Sequence, residues 1–448
     1  YIPSDTNDEG ILKATASGTL PSGQAVIVNA DGTVSVPSST VGSEAVFNSA
    51  NSFYTTAAFD SSSNKVVITY MNVGSSYDGT VIVGTVSGGS ITFGSPVVFN
   101  SGESGWTAIT FDSNSNKVVI AYSDNANSSY GTAIVCTVSG TSISFGSETV
   151  FNSANTQHTA MTFDSNSNKI VIAYRDQGDN SHGNAIVGTV SGTSISFGGE
   201  TKFENAAVEQ ISATFDSSSN KVVVVYNDAG NSGYGTANVG TISGTSITFG
   251  GAVVFVSGYT FSNAATFDSS SNKVVISYRD GSNSNYGTAI VGTVSGTSIS
   301  FGSSVVFSAA TTNYSSIVFD SSTNKVVISY QGNGNLNGTI IVGTVSGTSI
   351  SFGDGTVFNT GTSTEIKSTF DSNSNEVVTV YNDGGNSGYG TAVVYNPSGN
   401  PLTAENYIGI STGGTYASGS TATVKIIGNT SDEQSSLTAG QAYYVQTD

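Results

Sequence analysis

Seven side chains stand five residues ahead of a recurring phenylalanine, and their types change along the chain: Tyr54, Trp106, His158, Gln210, Ser262, Tyr314 and Glu365. Aromatic faces interleaved with amide, hydroxyl and carboxylate groups suit a sugar ring. Its C–H face stacks on an aromatic plane while its hydroxyls find polar partners. A second series falls in a later loop of each repeat: Tyr77, Tyr130, His182, Tyr234, Tyr286, Leu336 and Tyr389. These residues fit a ligand platform, and they fit plain loop packing equally well. The first series carries more functional weight, because a packing requirement would repeat one residue type in every copy.

Other chemistries find less support. A sialidase-like site needs three clustered arginines, whereas the chain holds only Arg175 and Arg279 and lacks a Ser-x-Asp-x-Gly-x-x-Trp box. Glycoside hydrolysis needs two opposed carboxylates. Glu209, Glu365 and the loop aspartates supply carboxylates, but no spacing singles out a pair. A polysaccharide lyase built on His158 and a neighbouring Tyr is the remaining enzymatic alternative. Asp124, Asp176, Asp228, Asp280 and Asp383 each follow a strand Tyr by two residues. One carboxylate per repeat is a poor calcium cage, so they are expected to cap their loops. The turn DSNSNK lacks the Gly and the closing Glu of a calcium loop and reads as a hairpin. Lys65, Lys117, Lys169, Lys221, Lys273 and Lys325 sit five residues from Asp60 and its counterparts, where local charge pairing is expected. Cys136 stands where other repeats have Gly84, Gly188 and Gly240, and reads as a core position rather than a nucleophile. Two His and one Cys exclude zinc and iron–sulfur clusters, and neither a metal nor a cofactor is expected. A net charge of −19 without a basic patch argues against nucleic acid. No apolar run is long enough to insert in a membrane.

The elements that must position these residues follow from a repeat. The marker phenylalanines are Phe59, Phe111, Phe163, Phe215, Phe267, Phe319 and Phe370, spaced 52 residues apart five times and then 51. Such periods mark units that cannot bury their own apolar faces alone. The chain has five leucines and 54 glycines, with Val, Ile, Thr, Tyr and Phe in compact clusters, which points to strands rather than helices. The third repeat reads as four strands at 159–163, 169–175, 184–192 and 194–203, joined by Asp, Asn, Ser and Gly turns. Four-stranded antiparallel sheets repeated radially make a β-propeller, here of seven blades. The seventh repeat lacks its fourth strand, and SSTVGSEAVFNSAN (38–51) matches the fourth-strand segment SISFGSETVFNSAN (142–155). The N-terminal segment is therefore expected to complete the last blade and remove two sheet edges. This arrangement resembles the strand-exchange closure of seven-bladed propellers, including the Trp-Asp-repeat family, although no Trp-Asp dipeptide occurs.

The flanks carry further β signals. GTLPSGQAVIVNADGTVSVP, with a turn at Asp31-Gly32, precedes the repeats, and NYIGIST, GSTATVKIIG and LTAGQAYYVQ follow them. We read residues 1–37 and 396–448 as two halves of one small β-domain into which an all-β, seven-bladed propeller (38–395, with 38–48 completing the last blade) is inserted. The flanks resemble small β-domains of bacteriophage virion proteins, and the repeats resemble those of predicted structural proteins of marine phages. That resemblance implies a virion-surface or extracellular location and a homo-oligomeric assembly whose other proteins are met through the flanking domain. Tyr1 in place of Met predicts a processed or partial chain.

Across the repeats the first-to-second and third-to-fourth turns hardly change, whereas the second-to-third loop and the link between blades vary. One end of the ring is thus monotonous and the other diversified. The expected function is non-enzymatic recognition of a host glycan or receptor by the diversified end. Purely architectural decoration is the alternative, and a polysaccharide-active enzyme the third reading. Six of the ten lysines fall in the monotonous turns, so the diversified end is expected to be the more negative and its ligand neutral or cationic.

Overall fold

The structure is a computed structural model that describes residues 11–20, 22, 25–29, 31–35, 39–332, 336–397 and 407–425. It divides into two compact units, Val41–Tyr395 and a second built from residues 1–40 and 396–448.

In the larger unit the second strand of each repeat is a short Val/Ile-rich run, such as Lys117–Asp124, buried along nearly its whole length. Alternation of side chains across a strand explains why both faces must be apolar. Val118, Ile120 and Tyr122 pack into one cluster with Val81 and Val83 of the preceding repeat. Val119 and Ala121 pack into the next cluster, with Ile170, Ile172 and Tyr174 of the following repeat. Each repeat thus supplies half of two cores. The strand pairing runs continuously through seven repeats and returns on itself.

The fourth strand differs from the expected single segment of ten residues. In the third repeat it is split into a short hairpin strand, Ser194–Phe197, and the start of a 16-residue strand, Thr201–Asp216. Thr201 to Ala207 pair with the third strand of their own repeat, and Val208 to Asp216 pair with the second strand of the next. The link between repeats and the innermost strand are therefore one element. Closure uses the same device: the first half of Ala45–Asp60 pairs with Tyr389–Asn396, matching Asn51 with Tyr389 and Ala45 with Ala392.

The last repeat takes its short strand from the N-terminal segment: Thr40–Val41 lies between Tyr389–Asn396 and Ala45–Asp60, and the Gly42 amide donates to Val394 O as the Gly198 amide donates to Val187 O. Gly188 of the third repeat lies so close to Ile195 and Phe197 of the hairpin strand that a Cβ would clash. The residue at the same register in the last repeat, opposite Val377, is Tyr395, which is 2% exposed and shares a cluster with Val41, the smaller residue standing where the third repeat has Phe197. Cys136 occupies this register opposite Val118 and is fully buried, as expected for a core position.

The constant turns have packing reasons. Asp60 accepts hydrogen bonds from the Ser62 and Ser63 amides and from both hydroxyls, and Asn64 adopts φ +53°, the left-handed region that Asn tolerates. The carboxylates are consumed by their own turns. Among the described residues the turn lysines form no ion pair within 4 Å, contrary to the expected local pairing; the pairs found are Arg175–Glu209, His182–Asp179 and Lys202–Asp179. Gly146, just after the short strand Ser142–Phe145, lies against the carbonyl of Thr193 in the third-to-fourth turn of the next repeat and leaves no room for a side chain.

The second unit is a five-stranded antiparallel sheet in the order Ile11–Thr15, Thr421–Lys425, Tyr407–Thr412, Ala25–Val28, Val34–Ser35. It draws strands from both ends of the chain around Ala16, Leu20, Val26, Val34, Ala422 and Val424. The Asp31-Gly32 turn forms, with Gly32 at φ +80° and the Asn29 amide donating to Thr33 O. LTAGQAYYVQ lies outside the described residues.

Candidate functional site

Each innermost strand carries an irregularity at the same place. Pairing slips between Phe53 and Thr56, and at the equivalent step in every other repeat. Two residues lie in each slip, and the first, five before the marker Phe, is left-handed in all seven repeats: Tyr54 at φ 48°, Trp106 50°, His158 49°, Gln210 52°, Ser262 51°, Tyr314 49° and Glu365 54°. A non-glycine residue held there costs about 1–3 kcal/mol. Bulges of this kind re-aim side chains. The repeats pay that strain seven times without once using Gly at this position.

The re-aimed side chains meet. All seven line a single cavity of about 580 Å³, together with the residue that follows each of them, Phe53, Met71, Glu103 and Lys367. Neighbours are stitched in one rotational sense. Glu365 Oε2 accepts the Tyr54 amide (2.9 Å), His158 Nδ1 the Gln210 amide (3.4 Å), Gln210 Oε1 the Ser262 amide (3.0 Å) and Ser262 Oγ the Tyr314 amide (3.0 Å). The other side chains of the ring, Tyr54, Trp106 and Tyr314, take no part as acceptors and leave aromatic surface to the cavity. Tyr54, Trp106 and His158 form a continuous arc, with ring centroids 5.2 Å and 4.2 Å apart.

Burial governs the electrostatics of the cavity. It lowers the pKa of His158 to about 4, assisted by the Arg175 charge and opposed by Glu209, so the imidazole is neutral at pH 7. Burial also raises the pKa of Glu365, which Lys367 and the Tyr54 amide partly offset. Lys367 is itself lowered by desolvation and held up by Glu365. Tyr54 and Tyr314 are raised by burial and then by Glu365, so both keep their phenolic protons and can donate.

The second series is not gathered in this way. Tyr130, His182, Tyr234, Tyr286 and Tyr389 open the third strands, each paired to the outer strand of its own repeat, and none lines the cavity. His182 Nδ1 lies 2.9 Å from Lys202 Nζ and 3.5 Å from Asp179. Tyr77 and Leu336 do not belong to the series. Asn72 pairs with Asp78 as Asp124 pairs with Tyr130, so Asp78 is the counterpart of Tyr130. Tyr77 (φ 68°) and Leu336 (φ 56°) occupy the left-handed position before it, with Ser129 and Ser181. The loop aspartates behave as expected at four of five sites: Asp176, Asp228, Asp280 and Asp383 accept amides of their own loops. Asp124 makes no such cap and accepts from Asn100 instead.

A chain of repeated antiparallel units, closed by its own N-terminal strand around a central cavity, can be set beside solved structures. A lectin from Burkholderia pseudomallei superposes with a TM-score of 0.58 at 12% identity, covering 79% of this chain and 97% of the lectin. The fold is a β-propeller. A periplasmic gluconolactonase from Pseudomonas aeruginosa matches at a TM-score of 0.49 and 12% identity, over 79% of this chain and 96% of its own. No family model and no curated protein matches the sequence.

Sequence reasoning found the first ring because its register is tied to the marker Phe. It missed Glu103, Lys367 and the residues that follow each ring member. These become lining only through the bulge, which leaves no mark in residue type.

Proposed function

We propose that the protein is a non-enzymatic recognition protein whose propeller binds a glycan in the central cavity, as part of a virion or other extracellular surface. The observation that carries this reading is the convergence of seven diversified side chains on one cavity of about 580 Å³, a size that suits a small ligand. Tyr54, Trp106 and His158 offer a stacking arc for sugar C–H faces, while Gln210, Ser262 and the phenol of Tyr314 offer hydrogen bonds. The lectin fold match is compatible with the reading. Two carboxylates also face the cavity, Glu103 and Glu365, and Glu365 accepts the Tyr54 amide.

A glycan array probed with the intact chain and with Trp106→Ala tests this. A set of related sugars should bind, and Trp106→Ala should weaken them at least tenfold without altering the melting temperature by more than a few degrees. Absence of any sugar above background, or equal binding by the variant, would contradict it. Conversion of a bound oligosaccharide to shorter products would replace recognition by catalysis.

A further inference from the structure

The two arginines lie 104 residues apart and occupy the same place in their repeats, at the end of the second strand after Tyr174 and Tyr278. Each reaches the residue six before the next marker Phe. For Arg175 that residue is Glu209, whose Oε1 lies 3.4 Å from Nη1, and Ser181 Oγ accepts from Nη2 at 3.1 Å. For Arg279 it is Asn313, whose Oδ1 accepts from Nη1. The acid that neutralises one guanidinium is an amide opposite the other. Among the described residues Arg279 has no ion pair and its Nη2 has no partner. Nε is buried and unpartnered in both arginines, so the contrast lies in the outer nitrogens. Asp280, the nearest acid along the chain, is bound into its own turn by the Ser282 amide and hydroxyl.

Arg279 is held in position. Its guanidinium carbon lies 3.7 Å from the centroid of the Phe261 ring. Asn313 is oriented by a one-way relay in which its Nδ2 donates to Gln331 Oε1 (3.0 Å) and Gln331 Nε2 donates to Ser363 O (2.8 Å). Gln331 is 4% exposed, so neither amide is free to turn. The relay consumes both carboxamide oxygens. Arg279, Asn313 and Gln331 all line a second cavity of about 410 Å³, which shares Gln210, Ser262 and Tyr314 with the central one.

We infer that this side cavity is an anion subsite in which Arg279 takes the carboxylate or sulfate of an acidic sugar whose ring extends toward the central cavity. A planar, rigidly held guanidinium with open nitrogens suits an oxyanion better than a hydroxyl. The inference rests on the proposed glycan reading and names its ligand class. It departs from the expectation of a neutral ligand, because counting charges over a face treats Arg175 and Arg279 alike, whereas their partners do not.

The chain has only two arginines, so selective ¹⁵N-arginine labelling gives two Nε–H signals, assigned with Arg175→Lys. Sodium glucuronate, glucose 6-sulfate and glucose are titrated separately. At least one acidic sugar should shift the Arg279 signal saturably, with Arg175 and the glucose titration flat; which acid acts identifies the source of the anion. Asn313→Glu should weaken the response at least tenfold, and Glu209→Asn should make Arg175 respond as well. The inference fails if neither acidic sugar moves Arg279, if both arginines move together, or if Asn313→Glu changes nothing. Neutral sugars that still bind the central cavity would confine that failure to the anion subsite; no sugar binding of any charge would remove the glycan reading itself.

Discussion

His158 shows how one residue can belong to both the ring and the site. Its neutral Nδ1 accepts the Gln210 amide, and burial keeps its pKa near 4, below the ordinary value of 6.5. The unfolded chain therefore takes up a proton first as pH falls. Stability from this group is complete above pH 6.5 and is lost as pH drops through 4, by about 3 kcal/mol for a shift of this size. His158→Gln keeps an acceptor and removes the titration. Melting curves from pH 7 to pH 4.5 should converge, with the parent falling more steeply than the variant; parallel curves would show that His158 is not held neutral. The residue scale is also where legibility divides. The ring could be read from the sequence because its offset from the marker Phe never changes. Tyr77 and Leu336 were misassigned because the loop from Gly332 to Asn337 is one residue shorter than the loop from Asp124 to Tyr130 and the Tyr77 loop places its aromatic one residue early. Arg279 gave no signal, since its meaning depends on a partner 34 residues away in the next repeat.

At the scale of elements, strand identity and order were legible from Val/Ile runs between Asp, Asn and Gly turns. The 16-residue strand shared by two repeats was not, because its linking half varies in composition and follows no strict alternation. The substitutions at the Gly register test how a repeat adjusts to smaller side chains on its short strand, Val41 in the last repeat against Phe197 in the third. Tyr395→Ala removes a fully buried ring from the last repeat and should cost about 3–5 kcal/mol in denaturant unfolding. Cys136→Gly restores the residue used by Gly188 and its equivalents beneath Ile143 and Phe145 and should cost far less, roughly 1 kcal/mol. Equal costs would mean that Tyr395 is not filling space left beside the smaller Val41.

For the whole molecule, ring closure and the split between a constant and a diversified end are two sides of one design. The constant end is fixed by packing, through turns such as that of Asp60 and close approaches such as that of Gly146 to Thr193. Freed of that duty, the other end varies around one cavity. A site at the ring's centre exists once per chain, whereas a site between adjacent repeats would recur. Trp106 is the only tryptophan and lines the central cavity, so its fluorescence reports occupancy without a label. The decisive measurement is a fluorescence titration of the intact chain with its best array sugar, paired with calorimetry for stoichiometry. The account predicts a saturable change in Trp106 emission at one ligand per chain, with the same dissociation constant by both methods. Binding of several equivalents per chain, or saturation that leaves Trp106 emission unchanged, would contradict it.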